Sequence, residues 1–389
     1  MAKTKAATPK HEVAMQLTIS REKLIEALSA VTAAVPGKTT LPVLANILIE
    51  ATPTGVTMTA TDLDLTIQTT VVADVETPGA ITIPAKRLLA IAKELPPAPV
   101  RISMTVGART GLRFLLDCGR AHYRLLGIPA DEFPSLPTVE FAGESVQAGE
   151  LSDVVRRVSF AASTEESRPI LNGVLWSRTR EAVRLVATNG HRLAFVERAI
   201  DPELGADGEY IVPTKSLAQI PRLFSSDDRL AIGVSESGNH IALRSDTTCV
   251  MTRLIAGPYP SYRSVIPSKS SRRVIVDRLA LVSAVRRCMP VVSTATYRLA
   301  ITLSGGTIKL SVTTPDVGEF TDEVAARIDG PELSFGVNAQ YLLEVLGACG
   351  TDEVLISADT PERAVTFTPQ GEPAGQSALF LVMPLRLVD

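Results

Sequence analysis

The sequence predicts an α+β protein built from three tandem copies of one unit, because three independent sets of matched segments keep the same spacing along the chain. The first set is a β-like run, a polar or proline corner and an amphipathic helix: ITIPAKRLLAIAKEL from Ile81, YIVPTKSLAQIPRLF from Tyr210 and FGVNAQYLLEVLGAC from Phe335. Pro84, Pro213 and Asn338 mark that corner, 129 and 125 residues apart. The second set is VTMTATDLDLTI from Val56, VRLVATNGHRLAFV from Val183 and IKLSVTTPDVGEF from Ile308, in which Thr61, Thr188 and Thr314 superpose at separations of 127 and 126. The third opens each unit: LTISREKLIEALSAV from Leu17, SVQAGELSDVVRRVSF from Ser145 and RVIVDRLALVSAVRRC from Arg273. Chance similarity of short segments would not hold one period across three markers.

Each unit is expected to carry two helices and several antiparallel strands. The helix windows are residues 20–34, 85–95, 149–161, 214–224, 277–288 and 339–349. In the third window Leu151, Val154, Val155 and Val158 fall at i, i+3, i+4 and i+7, an apolar stripe that packs on a sheet and leaves the other face wet. Pro221 lies inside the fourth window and should kink or shorten that helix. Runs such as VRLVAT and IKLSVTT alternate with period two, as half-buried strands do. The Pro- and Ser-rich stretches EFPSLPTVEF (132–141) and GPYPSYRSVIPSKSS (257–271) end the first two units alike, with Phe133-Pro134 and Tyr259-Pro260 separated by 126. The domains are therefore 15–137, 138–267 and 268–389. Residues 1–14 are polar and Lys-bearing, lack the apolar stretch of a secretion signal, and are expected to form a disordered extension before Met15.

Composition narrows the function. The chain has 389 residues, 45% of them hydrophobic, and no apolar run approaching the length of a membrane span, so a soluble cytoplasmic protein is expected. Cys118, Cys249, Cys288 and Cys349 stand far apart with no CxxC spacing and no His at ligand spacing, which points to reduced, mostly buried thiols and to neither zinc nor a disulfide framework. The formal net charge of −3 does not by itself indicate a nucleic-acid partner. Its distribution is more informative. The six helix windows hold twelve Lys and Arg against seven Asp and Glu, a surplus of five positive charges on an otherwise acidic chain. Helices sharing one surface would make that surface a phosphate-binding one.

No motif indicates catalysis. Gly37-Lys38-Thr39 looks like the end of a P-loop, but Thr32 stands where its first glycine is required, a helix precedes it, and Pro42 blocks the helix that should follow. Asp62 and Asp64 flank a turn with no third ligand nearby and read as solvated. His191, in ATNGHRLA, has no triad partners around it. GxGxxG, HExxH and GxSxG are absent, which favours a binding protein without metal or cofactor.

Taken with their order and spacing, TLPVLAN (40–46), ATDLD (60–64), RPILNGVLW (168–176), ATNGHRLA (187–194), YPSYRSVIP (259–267) and LVMPLRL (381–387) resemble the bacterial β sliding clamp, the processivity subunit of DNA polymerase III, over about residues 15 to 387. The resemblance implies a head-to-tail homodimeric ring of six similar domains. Helices would line the hole around double-stranded DNA, and sheets would form the shell. It implies partners that include the polymerase α subunit, an ATP-dependent clamp loader and other proteins bearing a clamp-binding peptide of the Gln-Leu-hydrophobic-Phe type, with peptide-like inhibitors in the same pocket. That pocket maps onto Leu171, Thr188, Gly190, His191, Arg192, Leu193, Pro260, Val265, Asn338, Tyr341, Leu381, Met383, Pro384 and Arg386. The DNA-facing positions map onto Lys38, Lys86, Arg87, Arg168 and Lys215. The ring interface sets Tyr123 and Leu125 against Val291 and Val292 of the other subunit. Two departures stand out: Asn189 where the family commonly has Asp, and Val388-Asp389 after the usual Arg-Leu ending. A second-copy clamp tolerant of a pocket inhibitor, and a three-domain scaffold that never encloses DNA, are the alternatives.

Overall fold

The computed structural model describes residues 12–107, 111–179, 181–199 and 208–387. Residues 1–11 of the expected extension and the terminal Val388-Asp389 lie outside the described residues. The first strand starts at Glu12, three residues inside the expected extension. Glu12 and Val13 pair with Val106 and Thr105, and Met15 is fully buried within that strand. Backbone pairing and an apolar side chain at Met15 carry the strand back beyond the sequence's hydrophobic run.

Every matched corner is a strand-to-helix junction. The helices are α1 (Arg21–Thr32), α2 (Ala85–Glu94), α3 (Ala148–Ser159), α4 (Thr214–Leu217), α5 (Ile220–Leu223), α6 (Arg278–Cys288) and α7 (Ala339–Cys349). Strands Gly79–Pro84, Gly208–Pro213 and Leu333–Asn338 run directly into α2, α4 and α7. Side chains that accept from orphan amides fix several starts: Ser20 takes Lys23 N–H, Asp277 takes Ala280 N–H, and Asn338 takes Gln340 and Tyr341 N–H. Gly350, at φ 74°, ends α7 in the left-handed conformation that glycine adopts without strain. The fourth window breaks as Pro221 requires. It becomes α4 and α5, with Pro221 in the first turn of α5, where a missing N–H removes no helical bond.

The three threonine markers also fall at equivalent places. Gly55–Thr61, Ala182–Thr188 and Thr307–Thr314 are strands that end on them, and each is followed two residues later by a positive φ: Leu63 at 78°, Gly190 at 89° and Asp316 at 64°. In the first two turns the polar side chains do the same work. Thr61 and Thr188 hydroxyls accept from Leu63 and Gly190 N–H. Asp62 Oδ1 accepts from Asp64 and Leu65 N–H, as Asn189 Oδ1 does from His191 and Arg192 N–H. Asn189 Oδ1 accepts the same two backbone bonds as Asp62 Oδ1, which explains how Asn189 fits. The Asp62/Asp64 pair is thus a turn.

The chain divides into two compact units that cut across the repeats. The first comprises Met1–Gly149 with Ala218–Arg253, the second Glu150–Leu217 with Leu254–Asp389. Within the first, a five-stranded sheet runs in the order Asp74–Thr77, Glu12–Ile19, Val100–Gly107, Gly111–Cys118, Ala121–Leu126. An eight-stranded sheet holds Leu65–Val71 of the first repeat hydrogen-bonded to Thr248–Arg253 of the second, with Ile67 opposite Val250. α1 buries Leu24, Ala27, Leu28 and Val31, and α2 buries Ala85, Leu88 and Ala92, in the core of this unit.

In the second unit a twelve-stranded sheet contains the equivalent join. Arg192–Ala199 of the second repeat pairs with Gln376–Val382 of the third, with Leu193 opposite Leu381. The third member of this series is Gly318–Asp329. Its Gly318–Ala325 stretch pairs with Thr307–Thr314 on one side, while its pairing on the other side, to Arg272–Asp277, is confined to Ala326–Asp329. Ala121–Leu126, the closing strand of the first repeat, is likewise an edge strand. The joining strand of repeat three and the receiving strand of repeat one are thus open edges among the described residues.

Candidate partner-binding site

The residues expected to form the partner pocket belong to the second unit, around the Thr188–Arg192 turn. The turn is anchored from below: Thr188 N–H donates to Tyr259 Oη at 3.2 Å, and Thr188 Oγ1 donates to Arg192 O at 2.7 Å. Burial pushes the Tyr259 phenol well above its ordinary pKa, so it stays protonated and holds the turn. Gly190 and His191 form the exposed lip, and Arg168, also exposed, lies beside Gly190.

Below the lip is an apolar cluster. Leu175, Val186, Leu193, Ile211, Ala364 and Leu381 are buried, and Ile170, Phe195, Ile255, Tyr259, Tyr262, Leu379 and Met383 pack on them while keeping part of their surface in solvent. Leu193 and Leu381 are 1% and 2% exposed. They therefore support the floor from beneath, and the surface offered to a ligand comes from Met383, the tyrosines and the exposed Val265. Leu171 sits half-buried on the short turn Pro169–Asn172, and Pro260 is exposed on the segment that carries Tyr259 and Tyr262.

The C-terminal segment is pinned at two points. Met383 N–H donates to His191 O, and Leu385 N–H donates to Gly336 O, each at 2.8 Å. A Cβ on Gly336 would meet Leu385 O at 2.7 Å, so only glycine lets the tail lie there. These two bonds place Met383 and Pro384, both half-buried, and the exposed Arg386 along the turn. Asn338 is occupied in capping α7, and half-buried Tyr341 follows it on the same helix.

Arg192 differs from expectation. Its side chain is only 10% exposed, with the guanidinium 4.4 Å from the Tyr341 ring centre and 5.4 Å from that of Phe160. It donates to Phe160 O and pairs with Glu344, and Asn189 Nδ2 donates to Tyr341 Oη at 3.4 Å. It is part of the wall's support, not of its surface. Phe160 and Glu344 were not singled out in the sequence, and Tyr259 and Tyr262 were not named as site residues, although Tyr259 marks a unit boundary and YPSYRS is part of a matched motif. A phenylalanine after one helix and a glutamate within another carry no local signal of a shared arginine.

Lys38, Lys86, Arg87, Arg168 and Lys215 are all exposed. Lys38 lines an open recess with Pro36, Thr39, Thr40, Leu44 and Asp62. Lys86 and Arg87 stand together at the start of α2, and Arg168 Nε is 4.0 Å from Glu165. The helix charge surplus needs correction, because one of its cations is buried inside the fold and two exposed ones are paired with carboxylates. Arg157 on α3 is 7% exposed and bonded to Ala348 O and Glu372, while Arg287 pairs with Asp322 and Arg156 with Asp153. Tyr123 and Leu125 are half-buried on the open edge Ala121–Leu126. Val291 is half-buried, whereas Val292, at 7% exposed, already belongs to its own core.

A repeat that joins its copies through shared sheets, keeps one joining edge and one receiving edge open among the described residues, and carries a partly exposed apolar cluster beneath a tight turn has the architecture of the sliding-clamp class. Family comparison agrees across the chain. Residues 15–137, 145–261 and 263–386 match the N-terminal, central and C-terminal domains of the DNA polymerase III beta subunit, and the chain belongs to that family. It is 32% identical to the beta sliding clamp of Pseudomonas aeruginosa over 381 residues, covering 96% of this chain and 100% of the relative. It is 30% identical to that of Caulobacter vibrioides over 380 residues, with the same coverage. Among solved structures, the Bacillus subtilis sliding clamp superposes with a TM-score of 0.89 at 26% identity, covering 96% of this chain and 100% of that one. A C. crescentus clamp gives 0.90 at 30%, covering 96% and 99%. No helix among the described residues is long and apolar enough to cross a membrane.

Proposed function

We propose that this chain is a DNA polymerase processivity factor that works without catalysis. Two copies join head to tail, encircle duplex DNA, and tether the replicative polymerase and other replication and repair proteins through the recess around Met383. The observation that carries the reading is the unfinished series of sheet joins. Repeats one and two are joined by Leu65–Val71 on Thr248–Arg253, and repeats two and three by Arg192–Ala199 on Gln376–Val382. The same join made by Gly318–Ala325 would need Ala121–Leu126 as receiver, and both edges are open. Made twice between two copies, that heterologous contact closes into a ring.

A closed ring needs no affinity for sequence. Contacts from Lys38, Lys86, Arg87, Arg168 and Lys215 to phosphates hold weakly and let it slide, while closure prevents escape. A polymerase tethered to it rebinds its template at a high effective concentration, which raises processivity without new polymerase–DNA contacts. Loading falls to an ATP-dependent partner in the cytoplasm, and the ring itself uses no cofactor. In a test with a clamp loader, the protein remains on closed circular DNA and is released when the circle is cut. Equal retention on linear DNA with free ends would sink the encircling reading in favour of a three-domain scaffold.

A further inference from the structure

We propose that Arg192 is a positioning residue of the partner pocket, a charged lock between the Thr188–Arg192 turn and α7 that sets the recess before any peptide arrives. The proposal rests on the reading of that recess as the partner site. Its first support is what Arg192 holds. The guanidinium stacks on Tyr341, pairs with Glu344 one helical turn further along α7, and donates to the carbonyl of Phe160 just after α3. Tyr341 in turn accepts from Asn189, whose oxygen closes the turn on His191 and Arg192, and His191 O holds Met383 N–H. The lock therefore reaches the wall, the lip and the adaptable methionine through four consecutive contacts.

The second support comes from the repeat. Four residues after the marker threonines stand Leu65, Arg192 and Gly318. Leu65 is 1% exposed in its own core, so the fold at this position is met by an ordinary apolar side chain. Burying a guanidinium instead carries a desolvation penalty that an apolar residue avoids. Glu344 offsets part of it and Tyr341 another part, and both belong to α7. A planar, forked cation is suited to stacking and pairing at once, which neither leucine nor lysine does. The cation is thus an addition where the second repeat meets the third, at the recess.

The test is a titration of a fluorescein-labelled peptide carrying Gln-Leu-Leu-Phe into the full-length protein and its variants Arg192→Leu, Glu344→Ala and Met383→Ala. Association and dissociation rates are read separately, and the Met383 methyl resonance is followed in the free protein. Arg192→Leu, which installs the residue repeat one uses, is expected to weaken the peptide about tenfold through a slower association rate, because fewer molecules hold the competent pocket. The free Met383 methyl signal should broaden or shift in step, and the melting temperature should fall, because Glu344 is left without its cation. Glu344→Ala keeps the arginine and should weaken the peptide severalfold in the same rate. It carries the test if Arg192→Leu folds poorly.

Unchanged affinity in both lock variants, alongside a loss in Met383→Ala, overturns the lock and leaves the pocket standing. So does a loss confined to dissociation with the free Met383 signal unmoved, which marks direct contact with the peptide. If Met383→Ala also binds normally, the pocket reading fails first and the lock fails with it.

Discussion

Met383 is a flexible, half-buried side chain on a pinned backbone. Its N–H is held by His191 O, and its side chain packs on the buried cluster that includes Leu193 and Leu381. A thioether with three rotatable bonds adapts to different ligands without straining its neighbours. Truncating a buried Met to Ala typically costs about 2 to 5 kcal/mol, and an open pocket shows part of that as lost affinity. Met383→Ala should therefore weaken a Gln-Leu-hydrophobic-Phe peptide by roughly ten- to a hundredfold, about 1.4 kcal/mol per power of ten, with the oligomeric state unchanged. Calorimetric titration beside a mass measurement checks both parts.

Cys349 supplies a second prediction at this scale. Burial at the end of α7 pushes its thiol from 9.0 up to about 12, with nearby Arg157 and Arg278 opposing the shift. The folded state favours the neutral thiol, so this contribution is fully present below about pH 9, fades as pH rises, and is gone past about pH 12. Denaturant midpoints measured from pH 8 to pH 11 should fall less steeply in Cys349→Ala than in the parent chain; parallel curves would remove the thiol as a cause. His191, by contrast, read from sequence as lacking triad partners, contributes through its backbone, which joins the turn and holds Met383 N–H.

At the scale of elements, α3 and α7 are tied by Arg157. Its Nε donates to Ala348 O at 3.1 Å, in the last turn of α7 where carbonyls lack helical partners, and its Nη atoms pair with Glu372. Both side chains are close to nine-tenths buried. Removing one member of such a pair leaves an uncompensated charge, so Glu372→Ala should destabilise the fold by about 3–5 kcal/mol. Replacing Arg157 and Glu372 together with apolar residues should recover most of that loss, as read by chemical denaturation. Equal instability of the single and double variants would mean that packing, not charge, is what Glu372 supplies. The amphipathic pattern placed α3 well, but it could not tell Arg156, which is exposed, from Arg157, which is buried. Helical spacing gives a face, whereas the carbonyl and carboxylate that accept Arg157 lie about two hundred residues downstream.

At the scale of the whole molecule, the proposed ring depends on two open edges. Ala121–Leu126 offers Tyr123 and Leu125 on one face of its strand, with Leu116 and Phe114 opposite them on the neighbouring strand. Aspartates on a strand that must pair and pack against another sheet introduce desolvated charge. The double variant Tyr123→Asp, Leu125→Asp is expected to sediment as a monomer, keep its affinity for the peptide, and lose retention on circular DNA. A dimer that persists would place the interface elsewhere. Val291, half-exposed, is the better partner candidate in the third repeat, since Val292 is already enclosed.

The sequence by itself determined the threefold repeat, the α+β class, the strand-to-helix corners at Pro84, Pro213 and Asn338, and the break at Pro221, because each follows from side-chain periodicity or from backbone chemistry local to a few residues. The marker threonines were equally local, since a turn closed by Thr188 and Asn189 is written in adjacent positions. Only the tertiary structure decided that sheets run across the repeats, that Leu193 is buried while Met383 keeps part of its surface in solvent, and that Arg157 and Arg192 are buried and paired instead of exposed cations. A strand's partner and a cation's acceptor are set by residues brought together from distant parts of the chain, and linear spacing carries no record of which edges and charges the fold will join.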